Sequence, residues 1–389
     1  MKILIPDWKI FGKEDIASVL HKMGHEVLFY KKEPREYRYD PEFRSELRSF
    51  MKKQQIDLVF SVNYYPVLST TCMDSKLLYI SWCYDSPLIL TYSDTIFNSC
   101  NYVFIFDSQM VADLKSIGVK NVYYMPLAVN TKRLRQLNLS HEQTMILNAD
   151  VAFVGSLYNE KHNLYERMKN LQPETRGYLE GIMQAQSLVY GYNFLEDVLP
   201  SQIIKDMQKS MPLEVHRDGR ETLAYVYANY FLCREITRWE RDEILKILDQ
   251  NDEIITKLYT INSTPQLKHI KNMGTVQYQN EMPLVFRCSK INLNITLRSI
   301  QSGIPLRAMD IMGAGGFLLT NYQSDFLKHF VEGEDYVAFE STSDMMDKIY
   351  YYLRNDAERC EIAQNGYRKI CKNHDYYDTV GKMFEIAKI

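Results

Sequence analysis

The chain has 389 residues, 46% apolar and 24% charged, the mixture of a soluble globular protein too long for one comfortable core, so two domains are expected. Its formal net charge of −3, from 46 basic and 49 acidic residues with no long single-sign block, leaves no electrostatic footprint for duplex DNA or an anionic membrane. Seven cysteines, an odd count with no CxxC pair, read as reduced core residues and exclude a disulfide frame or a thiolate zinc site.

In chain order, "MKILIPDW" is a short apolar run. A glycine-containing turn, a helical pattern (Ile16, Val19, Leu20, Met23) and a second run, Val27–Tyr30, follow it. This is β-loop-α-β, the opening of a parallel sheet. Further buried-strand runs at 56–62, 77–82, 102–107 and 121–128 bring the total to six, which predicts one doubly wound Rossmann-like domain over residues 1–130. A second βα series begins at "DVAFVGSLYNEKH" and is interrupted by an almost wholly helical block, about 163–250. Strands then resume at 257–262, 274–280, 291–296 and 316–321, and the tail from about 344 is helical. The second domain is thus expected over 131–371 with a helical insertion, and residues 372–389 as a helix crossing back to the first domain. The N-terminus carries no signal-like pattern, and no apolar run approaches the ~18 residues of a membrane span. The expected location is the cytoplasm.

The expected architecture is α/β, with two Rossmann-like domains facing across a cleft. Ligands of such sheets bind beyond the carboxyl ends of the strands, where backbone amides and helix N-termini are free. The densest signal is 294–321, "NITLRSIQSGIPLRAMDIMGAGGFLLTN". A strand ends at Asn294–Thr296, a polar loop holds Arg298, a helix starts near Pro305, and the segment closes on Gly313, Gly315 and Gly316. A helix N-terminus beside Arg298 suits an anion such as a diphosphate. A carboxylate one turn inside, Asp310, suits ribose hydroxyls. Arg307 and Asp310 are three apart, so an internal salt bridge on a structural helix fits the spacing equally well.

These residues resemble the donor-site helix of GT-B glycosyltransferases, whose pattern is an acid, seven residues, a second acid, then "AMAxGxPVV". More narrowly they resemble the CgeB-type, spore-maturation-protein-like members. The matching pieces are Gly303–Arg307, Asp310, Gly315–Tyr322, Gly333–Val337, Tyr351–Leu353 and Ile362–Tyr367. The resemblance implies a glycosyltransferase moving a sugar from a nucleotide diphosphate donor, with UDP the expected nucleotide, to a hydroxyl acceptor that the sequence does not name. It places Asp310 on the acid that holds the ribose and finds Ser302 where the first acid belongs. "VGSLYNEKH" is similar to the "VGRxxxxKG" that opens the donor domain, so Lys161 falls on the phosphate-binding lysine and Ser156 replaces the usual arginine. Arg298 is the expected substitute for that charge. The donor site is therefore expected at Gly155, Ser156, Lys161, Asn294, Thr296, Arg298, Ser302, Arg307, Asp310 and Gly315.

In the first domain Gly12 marks an acceptor-side loop. Asp85 and Asp7, each just past a strand, are the carboxylates placed to act as general base, or equally as helix N-caps. His21 and His25 read as structural, and His216 as a lesser candidate in the helical block. No HExxH or DxD pattern occurs and the one HxxxH, His21–His25, is among the histidines read as structural, so a metal-independent reaction is expected, with no cofactor besides the donor. Absence of GxGxxG after the first strand disfavours a nicotinamide dehydrogenase. The rival readings are a UDP-sugar epimerase or a phosphorylase of the same fold, and a non-catalytic nucleotide-sugar-binding protein. The departure at Ser302 keeps the last open.

Overall fold

The structure, a computed structural model, describes residues 1–8, 12–160 and 163–389. The chain divides into two compact units. One is Met1–Leu127 with Glu214–Thr222 and Tyr376–Ile389; the other is Ala128–Leu213 with Leu223–Asp375.

The first unit holds six strands: β1 (Lys2–Pro6), β2 (Glu26–Tyr30), β3 (Leu58–Val62), β4 (Leu78–Cys83), β5 (Asn101–Ile105) and β6 (Val122–Tyr124). All pair in parallel in the order β2-β1-β3-β4-β5-β6. Its helices include α1 (Lys13–Lys22), α2 (Pro41–Gln54), α3 (Pro66–Ser75) and α4 (Ser108–Ser116). Strand β3, "LVFSV", is buried at every position, as a central parallel strand covered on both faces must be. Helix α2 starts where Asp40 accepts a hydrogen bond from the Phe43 amide with Pro41 in the first turn. The core runs from Leu4 and Phe43 through Tyr64, Tyr79 and Ile105 to Val122.

Two distant segments complete this unit. The C-terminal helix Tyr376–Ala387 packs on α1, the Tyr376 hydroxyl 2.9 Å from that of Tyr84 and its ring edge-on to Trp82. Gly12 is glycine for that reason: its φ is +70° and a Cβ would stand 2.7 Å from the Tyr376 hydroxyl. The excursion Glu214–Thr222, which the sequence placed inside the helical insertion, is anchored by Arg38. That guanidinium donates to Asp218 at 3.1 Å and to Glu221 at 2.7 Å.

The second unit opens with α5 (Thr131–Arg135), α6 (His141–Leu147) and β7 (Ala149–Val154). The helical block follows: α7 (Pro173–Ser187), α8 (Ser201–Ser210), α9 (Leu223–Val226), a π-helical turn Tyr227–Leu232, and α10 (Cys233–Asp249). The block has a core of its own, with Met168, Leu179, Met183, Leu195, Met207 and Phe231 among its buried members. Next come β8 (Thr256–Tyr259), β9 (Lys271–Asn272), α11 (Met282–Cys288), β10 (Ser289–Asn294), α12 (Leu306–Gly313), β11 (Leu318–Asn321), β12 (Val337–Phe339), α13 (Thr342–Arg354) and α14 (Asp356–Asn373). The sheet is parallel, in the order β12-β11-β10-β7-β8-β9.

Two expectations fail here. The strand expected at 274–280 is absent: β9 ends at Asn272, and Gly274, with φ +77°, turns the chain out of the sheet. Strand β12 was not foreseen. No helix among the described residues is long and apolar enough to cross a membrane.

Candidate functional site

The carboxyl ends of β7, β8, β10 and β11 lie side by side, and polar side chains stitch their loops together. After β7 the Leu157 amide donates to Asn262 Oδ1 at 2.8 Å, which also accepts the Thr260 hydroxyl at 2.9 Å. After β10 the Thr296 amide donates to Asn321 Oδ1 at 2.9 Å. Asn294 Nδ2 reaches the hydroxyls of Thr296 and Thr320 at 3.0 and 2.9 Å. These buried polar groups pair with one another and hold the loop after β7 to that after β8, and the loop after β10 to that after β11.

Helix α12 starts from this edge behind Pro305. Asp310, one turn inside and buried, accepts the Tyr278 hydroxyl at 3.0 Å on Oδ1. Arg307 Nη1 stands 3.9 Å from Asp310 Oδ2, at the outer limit of an ion pair, and the Arg307 side chain is partly exposed. Ser302 donates to the buried carboxylate of Asp325 at 3.2 Å and accepts the Asp325 amide at 3.0 Å. An acid thus stands across from the position where the family pattern has one, delivered from the loop after β11. Asp325 also pairs with Lys328 at 2.7 Å.

Gly155 and Ser156 occupy the turn after β7. The Gly155 amide bonds the Tyr259 carbonyl at 3.0 Å, and a Cβ there would meet the Phe153 ring at 3.3 Å. The Ser156 hydroxyl bonds Glu160, and a recess of about 230 Å³ beside it is lined by Ser156, Tyr158, Glu160, Asn163 and Arg234. Burial pushes the Glu160 carboxyl up, but hydrogen bonds from Ser156 and Asn262 and the Arg234 charge bring it below its ordinary value. Lys161 lies outside the described residues.

Two expected donor residues are placed elsewhere. Arg298 does not point a free charge at this edge. Its guanidinium donates to Glu240 through Nε at 3.0 Å and Nη2 at 3.2 Å, and to the carbonyls of Val189 and Ser187 at 3.0 and 2.8 Å. It also stacks 3.7 Å from the Tyr190 ring centroid, so it moors the β10 loop to the helical block. Gly315 follows α12 and precedes β11, which puts it at the amino edge of the sheet. There it ends the helix with φ +84°. Gly316 is fixed by packing, since a Cβ would lie 2.7 Å from Asn292 Nδ2 and 2.8 Å from the Phe286 carbonyl.

The cation that sequence reasoning missed is Arg241 of α10. It donates to the carbonyls of Ser156 and Ile295, so it bridges the loops after β7 and β10. Its guanidinium lies 5.3 Å from the Phe153 ring and 4.7 Å from that of Tyr158. Burial pushes its pKa below arginine's ordinary value against the pull of Tyr158 and Glu240, and the like charge of Arg307 adds to the depression. One signal was available: Arg241 falls on the buried stripe of α10 with Thr237, Ile244 and Leu248, where a charged side chain is out of place.

In the first unit Asp7 and Asp85 follow β1 and β4, at the carboxyl edge of that sheet. Neither caps a helix. Asp7 pairs with Lys13 at 2.5 Å, and Asp85 accepts Asn63 Nδ2 at 2.7 Å while Asn63 Oδ1 takes the amides of Tyr84 and Asp85. His216 bonds the Asp218 carboxylate, and His21 the His25 carbonyl. A recess of about 770 Å³, lined by Arg44, Arg48, Lys52, Gln55, Ile56 and Leu77, lies elsewhere. Its lining residues precede β3 and β4, which puts it at the amino edge, away from both carboxylates. Among the described residues no cluster of three or more His, Cys, Asp or Glu is arranged to hold a metal ion.

Residues 232–385, which carry α10, Asp310, Ser302 and Asp325, match the family model described as glycosyl transferase-like. This stretch is similar to glycosyltransferases. The fold agrees over the whole chain. The UDP-glucose complex of Anabaena Alr3699/HepE superposes with a TM-score of 0.56 at 10% identity, covering 100% of this chain and 99% of that one. Sucrose-phosphate synthase (tll1590) from Thermosynechococcus elongatus gives 0.57 at 9% identity, covering 100% and 98%. A glycosyltransferase from Rickettsia africae ESF-5 gives 0.55 at 10% identity, with 100% and 98% covered. The chain therefore has the GT-B fold, two Rossmann-like α/β domains. No curated protein sequence matches it.

Proposed function

We propose that this glycosyltransferase takes its sugar from a UDP-linked donor and passes it to a hydroxyl acceptor, in the cytoplasm and without a catalytic metal. The observation that carries the donor assignment is Asp310: a buried carboxylate one turn inside the helix that leaves the β10 edge, within the stretch that matches the family. It can accept two hydroxyls of a ribose, while the first amides of α12 and the Arg307 charge face a diphosphate. UDP is favoured as the nucleotide because HepE was solved with UDP and with UDP-glucose. Within the GT-B enzymes we assign the chain to the CgeB-type on the motifs from Gly303 to Tyr367.

The chemistry then rests on electrostatics. Amides and guanidinium groups neutralise the leaving nucleotide, and a carboxylate takes the proton of the attacking hydroxyl. The two base candidates are Asp85, which accepts Asn63 Nδ2, and Asp7, which pairs with Lys13. Ser302, in place of an acid, offers the sugar a neutral hydroxyl backed by Asp325.

Calorimetry with UDP, ADP and GDP, followed by UDP release from a panel of UDP-sugars, tests the assignment. UDP should bind best and Asp310→Ala should weaken it. Failure of the wild type to bind UDP refutes the proposal. Donor interconversion without an acceptor would mark an epimerase, and binding with no turnover on any acceptor fraction a non-catalytic binder.

A further inference from the structure

Arg241 presents a problem that its packing does not solve. An arginine stays charged in a protein, and moving that charge out of water costs several kcal/mol unless a carboxylate answers it. Among the described residues Arg241 makes no ion pair. Its Nη1 and Nη2 meet neutral carbonyls, the Tyr158 side chain also hydrogen-bonds the guanidinium, and its Nε is buried with no hydrogen-bond partner. Glu240, the carboxylate whose charge reaches it, is held at two points by Arg298 and at 2.5 Å by the Tyr190 hydroxyl. The second cation nearby, Arg307, makes the local excess of positive charge larger. Such an excess is retained where a ligand of opposite charge completes it.

Resting on the donor reading above, we propose that Arg241 is the standing counter-charge for the donor's diphosphate, supplied from behind the loops by α10 in place of the arginine that Ser156 lacks. It is a positioning residue. Its two carbonyl bonds hold the turns after β7 and β10 at a set separation, and its charge acts on the ligand through them in a poorly solvated setting. Two aromatic faces, Phe153 and Tyr158, keep the guanidinium planar against those turns and exclude water from it.

The test is calorimetry of UDP and of uridine, which lacks the diphosphate, against wild type, Arg241→Gln and Arg241→Lys, with thermal melting of each protein. The expected result for Arg241→Gln is a fall in the UDP-to-uridine affinity ratio of roughly tenfold or more, the scale of one full charge in such a setting, with uridine binding within about threefold of wild type. Arg241→Lys, which keeps the charge, should retain the ratio within about threefold. An unchanged ratio in Arg241→Gln overturns the proposal, as does a parallel loss of UDP and uridine binding, which is what a purely structural clamp produces. If Arg241→Gln does not fold, Arg241→Lys decides: a ratio held within about threefold supports the proposal, and a roughly tenfold fall in the ratio or a parallel loss of UDP and uridine binding overturns it. Absence of UDP binding to the wild type would instead refute the donor reading on which the proposal stands.

Discussion

Replacing Asp310 by asparagine probes the ribose contact with little change of shape. The carboxylate is about one-tenth exposed at its side chain, with Tyr278 on Oδ1 at 3.0 Å and Arg307 at 3.9 Å from Oδ2. Asparagine keeps one acceptor for Tyr278 but replaces the second oxygen with a donor and removes the charge. A hydrogen bond to a charged acceptor is worth about 1.5–3 kcal/mol. Losing one such bond and weakening another should cost about 2 kcal/mol, roughly a 30-fold rise in the UDP dissociation constant. Asp310→Ala removes both bonds and should cost a further factor of about ten. The assay is a ligand–protein cycle by calorimetry: wild type and Asp310→Asn, each with UDP and with 2′,3′-dideoxy-UDP. The dideoxy ligand should bind wild type weakly and be indifferent to the substitution. Tyr278→Phe, which frees Oδ1 of its internal donor, should leave UDP affinity within a few-fold. If Asp310→Asn weakens UDP and the dideoxy ligand equally, the carboxylate supports the helix and does not touch the ribose.

Arg298→Gln should act on stability. It strips Glu240 of its partner in a pair whose side chains are 6% and 11% exposed, and removing one member of a buried pair costs about 3–5 kcal/mol. Denaturant unfolding should show that loss while UDP affinity of the folded variant holds; the opposite pattern would return Arg298 to the phosphate. Gly316→Ala should destabilise by about 1–3 kcal/mol because backbone stands in its way. Gly177→Ala, in mid-helix of α7 with open space around it, should stabilise by about 0.5–1 kcal/mol, and a calorimetric melt separates the two. Asp249 accepts the amides of Lys268, His269 and Ile270 at 2.7 to 3.0 Å. Burial raises its carboxyl, but those amides outweigh it and hold the pKa below the ordinary value. A depressed folded-state pKa stabilises above the unfolded value near 3.9 and is lost as pH falls through the folded one. Asp249→Asn should therefore cost about 2 kcal/mol at neutral pH, and the difference from wild type should shrink in unfolding curves taken at successively lower pH below about 4.

Strands were legible where burial on both faces gave a mostly apolar run, as in "LVFSV" of β3, and where apolar and polar residues alternate, as in "SKINLN" of β10. Alternation misled at 274–280, where Val276 and Tyr278 have the period of a strand. There the backbone turn at Gly274 and the bond from Tyr278 to Asp310 prevail over local pattern. Strand β12 spans three residues, Val337–Phe339, too few to show a period. Within the candidate site, Asn294, Thr296, Ser302, Arg307 and Asp310 could be grouped from the sequence because they are neighbours in the chain, carried by one loop and the first turns of one helix. Arg241 and Asp325 reach the same place from other elements, and the sheet order that sets β7 beside β10 is not written in any short stretch.

The assignment of charge shows why. Glu240 and Arg241 are consecutive, so on α10 they project about 100° apart. Glu240 meets Arg298 and the Tyr190 hydroxyl on the side of the helical block, and Arg241 enters the ends of β7 and β10. Read as a string, "WERDE" is a run of three acids and one base inside a helix, and Arg298 is the cation of the loop ahead of α12. Folded, Glu240 of that run neutralises Arg298, and Arg241 beside it is left without an ion pair among the described residues. Which of the two arginines is left unanswered is therefore set by the rotation of a helix contributed from the insertion, and two variants test the proposal: loss of ligand discrimination is expected of Arg241, and loss of stability of Arg298.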